Sequence, residues 1–189
     1  CIRDRNNGFV YVASKHEEFI NAARFSANSL KDFWPESNIT LFTHKEWVKE
    51  DDNLIFNNII TKDVPHHKRA KLWALDKTPY EITCYIDSDT YIVNSEIKKI
   101  FKQHDIDSDI SLTKARRYAA AIECRFKGGE LTDHCGLFIY NNKPHTMNFM
   151  KQWWLLYCKQ DEKKWNWNTD LYPEYLRKWD MWTYWWLQN

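Results

Sequence analysis

The sequence predicts an α/β fold, a sheet packed between helices, and three observations carry that expectation. Short β-rich apolar runs alternate along the chain with amphipathic helical stretches. The 189 residues suit a single domain, which at that size buries about 70% of the surface that its extended chain would expose. One apolar run, Ile82 to Ile86, leads straight into a pair of carboxylates, the placement of a ligand site at a strand end in open α/β sheets.

Phe9 to Ser14 (FVYVAS) reads as a buried strand. Glu17 to Leu30 follows as a helix whose apolar face is Ile20, Ala23, Ala27 and Leu30. Ile39 to Thr43 is a second strand and Ile59 to Val64 a weaker third. Arg69 to Leu75 reads as a short helix ended before Thr78-Pro79. The strand Ile82 to Ile86 runs into Asp87-Ser88-Asp89 and is expected to resume over Thr90 to Val93. Ser95 is placed to cap a helix through Phe101, and Ile110 to Thr113 and Gly136 to Tyr140 are further strands. Asn142 and Pro144 start a long helix, with Met147, Met150, Trp154 and Tyr157 as its buried face. Gln160 to Thr169 is polar and reads as a loop.

Composition excludes several classes. With 27 basic and 26 acidic residues there is no one-signed surface for nucleic acid or anionic lipid. Only four glycines occur, and neither GxGxxG nor a P-loop is present, which removes the usual dinucleotide and NTPase fingerprints. The five cysteines, Cys1, Cys84, Cys124, Cys135 and Cys158, lack paired CxxC spacing, so reduced thiols are expected. No secretory apolar region and no stretch near the roughly 20 residues of a membrane helix occurs, so the expectation is a cytoplasmic protein without a membrane span. The chain opens on Cys1 rather than Met, as a fragment or one domain of a longer protein would.

Two carboxylates one residue apart at the end of a buried strand repel each other unless a cation or donors neutralise them. Magnesium or manganese, which takes one or two carboxylates together with substrate phosphates, is the natural remedy for Asp87 and Asp89. Taken alone, Lys71 reads as an exposed helix lysine or, beside Lys68 and Arg69, as a point charge for phosphate oxygens. Similarly, His134 reads as a hydrogen-bonded structural histidine and Asp180 as a helix cap or an active-site acid.

Read together, FVYVAS, KLWAL at Lys71 to Leu75, YIDSDTYIV at Tyr85 to Val93 and HCGLFIYN at His134 to Asn141 resemble the family 8 glycosyltransferases of the GT-A fold, over about Gly8 to Asn141. That family includes glycogenin and the bacterial lipopolysaccharide galactosyltransferases. The resemblance implies a Rossmann-like single GT-A domain with a mixed central sheet flanked by helices. Residues up to about 95 would form the nucleotide-binding half and residues 96–189 the acceptor-binding half. It implies a Mn2+- or Mg2+-dependent transfer of sugar from a UDP-sugar donor to a glycan or other hydroxyl acceptor, with retention of configuration. In that likeness Ala13 and Ser14 touch the base and ribose, and Lys71 contacts the donor. Asp87, Ser88 and Asp89 hold the diphosphate, with Asp87 and Asp89 as metal ligands. His134 and Cys135 ahead of Gly136 face the donor sugar, and Asp180 lies beside the reacting centre. The sequence departs from the family in two places: no histidine follows His145 to supply a late metal ligand, and His134-Cys135 replaces the family's preferred Asn-Ser.

Eight of the eleven tryptophans fall between Trp153 and Trp186. Trp179, Trp182, Trp185 and Trp186 have helical spacing and read as core. Trp165 and Trp167 alternate with asparagine in a polar segment and are the expected platform for an acceptor sugar. Two other functions are compatible with parts of the pattern. A haloacid-dehalogenase-type phosphatase also places DxD after a strand, but Tyr91 stands where that family has Thr or Val. A carbohydrate-binding module would use the tryptophans and leave the Asp pair without a role.

Overall fold

The computed structural model describes residues 6–105, 107–114 and 125–189; Cys1 and Cys124 lie outside them. The strands are β1 (Asn7–Val12), β2 (Ile39–Phe42), β3 (Asn58–Ile60), β4 (Ile82–Ile86), β5 (Ile110–Lys114), β6 (Arg125–Phe126), β7 (Gly129–Glu130) and β8 (Asp133–Asn141). The α-helices are α1 (Glu18–Phe33), α2 (Asp52–Ile55), α3 (Ala70–Ala74), α4 (Pro144–Asp161) and α5 (Asp180–Gln188). A six-stranded mixed sheet has the order β3-β2-β1-β4-β8-β5, and β6 and β7 form a separate ribbon. The first four strands are mutually parallel, whereas β8 runs antiparallel to both β4 and β5. The central sheet therefore joins the two sequence halves through the β4/β8 pair.

Alternation along β1 sorts its side chains onto two cores. Val10 and Val12 face a cluster with Phe42, Leu72, Leu75, Tyr85, Phe138, Met150 and Trp153, closed by α3 and α4. Phe9, Tyr11 and Ala13 face the other side with Leu41, Cys84 and Ile86, covered by the predicted face of α1, Ile20, Ala23, Ala27 and Leu30. Both faces of β1, β2 and β4 are largely buried, which is why these runs are mostly apolar, whereas the edge strand β3 is half-buried to exposed.

Several boundaries differ from expectation for identifiable reasons. Thr90 to Val93 does not resume β4. The Thr90 amide bonds back to the Asp87 carbonyl at 3.1 Å, making a turn, and the Ile92 amide then donates to Ser29 Oγ of α1 at 3.0 Å. The chain thus leaves the sheet toward α1. The helix over Ser95–Gln103 is 3-10, and its cap is Asn94, whose side chain accepts the Glu96 amide at 2.9 Å, rather than Ser95. On α4 the buried face is Thr146, Met150, Trp153, Tyr157 and Gln160, while Met147 and Trp154 are half-buried flanks. Gln160, expected in a loop, lies in the last turn of that helix and is fully buried. The third strand ends at Ile60 instead of Val64.

The tryptophan-rich tail builds a third cluster around Trp182 and Leu176. Trp165 and Trp167 join it, with ring centroids 5.2 and 4.4 Å from that of Trp182. The Trp167 indole also donates to the Tyr172 carbonyl at 2.7 Å and lies 4.5 Å from the Arg177 guanidinium. Both rings are half-buried. No helix of the described residues is long and apolar enough to cross a membrane.

Candidate active site

A cleft of about 240 Å³ opens at the carboxyl ends of β1 and β4. Val12, Ser14 and Phe19 form one wall, Asp87, Ser88 and Asp89 the other, and residues 67–71 with Tyr85 the base. A larger cavity of about 420 Å³ lies at the opposite end of the strands, lined by Asn7, Trp34, Glu36, Lys98, Phe101 and Lys102. It has a single carboxylate and sits at the amino end of β1, so the smaller cleft is the better candidate on chemistry and topology.

The turn after β4 positions the acidic pair. Asp87 is half-buried, and its amide extends the ladder by donating to the Gly136 carbonyl at 2.8 Å. Its Oδ1 accepts from Tyr85 OH at 2.6 Å and from Lys71 Nζ at 3.1 Å. Its Oδ2 faces β8, where a Cβ on Gly136 would stand 2.9 Å from that oxygen and 2.4 Å from His134 Cε1. A side chain there would displace the His134 ring and the Asp87 carboxylate, so close approach and not backbone angle favours glycine. Asp89 is exposed and has no hydrogen bond or ion pair among the described residues. The donor set fits a hard divalent cation: Asp87 Oδ2 and the Asp89 carboxylate are oxygen ligands not engaged by protein donors.

Lys71 and Asp180, distant in sequence, meet behind Asp87. Lys71 is 8% exposed and Asp180 4%. Lys71 Nζ lies 3.1 Å from Asp180 Oδ2 and donates to the Cys135 carbonyl at 2.9 Å, while Arg69 Nε lies 3.3 Å from Asp180 Oδ1. Neither Asp180 Oδ2 nor Arg69 Nε has a hydrogen-bond partner of good geometry, so the contacts of Asp180 with the two cations are close ion pairs. Burial pushes the Asp180 carboxyl up, but Lys71 and then Arg69 more than offset this and hold it below the usual range. For Lys71 burial favours the neutral amine, yet Asp180 and Asp87 outweigh it and the group is held well above its ordinary value. Two cations and two anions balance, so Asp87 is already neutralised from inside. The repulsion argument for a cation thus weakens for Asp87, and the open charge of the site is that of Asp89.

Ser14 and Lys71 line the cleft, as do Asp87, Ser88 and Asp89. Ala13 is fully buried beneath it, its amide bonded to the Phe42 carbonyl at 2.9 Å. The Cys135 side chain is buried in the core, so this residue reaches the site through its carbonyl. His134 is exposed on β8, its Nδ1 accepting the Gly136 amide at 3.2 Å. Asp180 sits behind Lys71, off the cleft lining. Arg69, given only a minor place by the sequence, is half-buried, lines the cleft and pairs with Asp180; its proximity to Lys71 was the available signal.

The start of α5, which delivers Asp180, is held by α4. Trp153 Nε1 donates to the Asp180 carbonyl at 3.0 Å, and Tyr157 OH donates to that of Lys178 at 3.2 Å. Gln160 Nε2 lies at 3.2, 2.9 and 3.1 Å from the carbonyls of Leu176, Arg177 and Trp179. Its Oε1 accepts from Thr183 Oγ1 at 2.5 Å. Gln160→Leu keeps the volume and removes every one of these bonds, so it should destabilise the chain by about 2 to 4 kcal/mol, several buried polar groups losing their partner together. A urea titration against the parent measures it, and an unchanged midpoint would refute this role.

Neither a protein-family model nor a curated protein matches the chain. Solved structures do match. The glycosyltransferase GlyE of Streptococcus pneumoniae TIGR4 superposes with a TM-score of 0.57 at 16% identity, over 85% of this chain and 40% of that one. The galactosyltransferase LgtC, in complex with donor and acceptor sugar analogs, gives 0.54 at 12% identity over 92% and 68%. The bifunctional glycosyltransferase WbbM in its apo form gives 0.51 at 12% identity over 77% and 34%. The chain thus spans about two fifths of the GlyE structure's length. At these identities the likeness shows the fold, which is GT-A: a mixed sheet flanked by helices.

Proposed function

We propose that this chain is a glycosyltransferase that moves a sugar from a UDP-sugar to a glycan or other hydroxyl acceptor, with retention of configuration. The observation that carries the reading is the cleft between Ser14 and the Asp87-Ser88-Asp89 turn, based on Arg69 and Lys71, at the parallel-strand ends of a GT-A fold. In this reading Asp87 and Asp89 hold Mn2+ or Mg2+, which when bound supplies positive charge to the departing diphosphate. Ser14, above the buried Ala13, lies on the base and ribose side. Lys71 holds Asp87 in its orientation through the 3.1 Å contact to Oδ1, and with Arg69 presents positive charge where the β-phosphate oxygens gain negative charge. His134 and Gly136 stand on the donor-sugar side of Asp87, with Asp180 positioning the two cations from behind. The half-buried rings of Trp165 and Trp167 keep an acceptor-side role. The unpaired buried thiols of Cys84 and Cys135 agree with the cytoplasm as location.

A melting screen of the chain with UDP, GDP and nucleotide sugars, with and without MnCl2, tests the reading, because a ligand bound only by the folded state raises the melting temperature. UDP with Mn2+ should stabilise most. Equal or tighter binding of GDP in calorimetry would overturn the uridine assignment, and binding of glycans without any nucleotide would favour a carbohydrate-binding module.

A further inference from the structure

We propose that His44, Glu46 and His66 form a second cation site, for an imidazole-preferring divalent ion of the Zn2+ class, beside the cleft at the ends of β2 and β3. One ligand atom from each residue lies within 4.8 Å of the others. His44 follows β2 directly and is buried, Glu46 lies in the single 3-10 turn Lys45–Trp47, and His66 belongs to the segment after β3. The strand ends bring these three positions together, although neither spacing nor sequence motif marks them.

Hydrogen bonding fixes the chemical form of His44. Ser14 Oγ lies 2.5 Å from the Pro65 carbonyl, an oxygen that only accepts, so the serine gives its single proton there. The His44 Nε2, 2.8 Å from the same Oγ, must then be the donor. In the neutral ring Nδ1 then carries the lone pair, the state of a metal-binding imidazole whose other nitrogen donates to an oxygen.

The His44 and His66 rings stack with centroids 3.6 Å apart and planes at 2°. Two parallel rings cannot aim in-plane lone pairs at one ion, so capture requires His66 to turn off the stack. It has room to do so, since the side chains of His66 and Glu46 are 63% and 62% exposed. Their His66 Nε2 to Glu46 Oε1 separation of 4.0 Å must close to about 3.4 Å, the edge of a tetrahedron with bonds of about 2.1 Å. Trp47 packs edge-on against His44 at 4.5 Å and His66 at 6.1 Å, giving the site an apolar wall. Two imidazoles and one carboxylate favour zinc over the hard ions suited to the all-oxygen pair Asp87 and Asp89. The two sites differ in both place and preference.

Calorimetry with ZnCl2 on chelator-stripped full chain, repeated with Co2+ by visible absorption, tests this. Expected is one Zn2+ equivalent, a cobalt spectrum of tetrahedral intensity, and retention of both in Asp89→Asn. His66→Ala and Glu46→Gln, both exposed positions, should each lower the zinc affinity at least about tenfold, or about 1.4 kcal/mol, and should remove the zinc-induced rise in melting temperature. The proposal falls if the parent shows no zinc binding tighter than about 100 µM, or if both variants bind zinc as the parent does. It also falls if the equivalent disappears in Asp89→Asn, which would place the ion on the acidic turn. Should one variant fail to fold, the other decides.

Discussion

Asp89→Asn should abolish sugar transfer and cation-dependent donor binding, with kcat/KM lower by at least about a hundredfold, because charge supplied to a leaving phosphate is worth several kcal/mol. The same variant should unfold like the parent. Asp89 is exposed and has no partner among the described residues, so an isosteric change there belongs with surface substitutions, within about 0.5 kcal/mol. Stability and function should therefore separate cleanly at this residue. Asp87→Asn is the contrast: its Oδ1 accepts from Lys71 and Tyr85, so that change weakens a partly buried ion pair as well as a ligand set. The internal charge balance adds a further expectation, that chelator does not unfold the parent. UDP calorimetry with and without MnCl2, beside melting curves, decides; undiminished manganese-dependent binding by Asp89→Asn would overturn the metal assignment.

Local pattern made the sheet legible and long-range hydrogen bonding made the rest illegible. The period of α1 and the apolar runs of β1, β2 and β4 report burial, which a sequence encodes residue by residue. The strand-end placement of Asp87 follows from the same pattern. Trp153 and Trp154 are adjacent, so helical spacing alone could not decide which faces the core; the Asp180 carbonyl that accepts the Trp153 indole did. Asn94 outcompetes Ser95 as cap because it stays extended while its side chain reaches the Glu96 amide. Gln160 reads as polar and hence exposed, yet four partners supplied by the tail satisfy it in the core. Lys71 is the clearest case. Its helix suggests a solvated lysine, and only the return of the chain at α5 brings Asp180 to 3.1 Å and buries both. Likewise, the aromatic tail has a use that composition hides: it packs the segment whose helix start presents Asp180.

Lys71→Met should be the most damaging single change in this chain, because it acts on stability and on turnover by different routes. Removing one member of a buried ion pair costs about 3 to 5 kcal/mol, a large part of the roughly 5 to 15 kcal/mol that holds a domain. For the fraction that remains folded, kcat should fall by about 2 to 4 kcal/mol in barrier terms, and UDP affinity should change less, since the charge matters most as the leaving group departs. The pH dependence follows from Asp180. Its carboxyl is held below the ordinary value of 3.8, so the ionised form stabilises the fold above that pH, and the contribution is lost as pH falls through the lower folded value. Without Lys71, burial is opposed only by Arg69 and a backbone hydrogen bond at Asp180 itself, the folded value rises, and acid unfolding should begin at higher pH than in the parent. Asp180→Asn removes that titration but keeps the side-chain shape. It should lower kcat at saturating donor while leaving UDP affinity nearly untouched, because Lys71 loses the anion that positions it. Acid titrations followed by circular dichroism, set beside steady-state kinetics and UDP calorimetry, separate the routes. Normal turnover per folded molecule in both variants would reduce Lys71 and Asp180 to a structural ion pair and move the catalytic cation to Arg69.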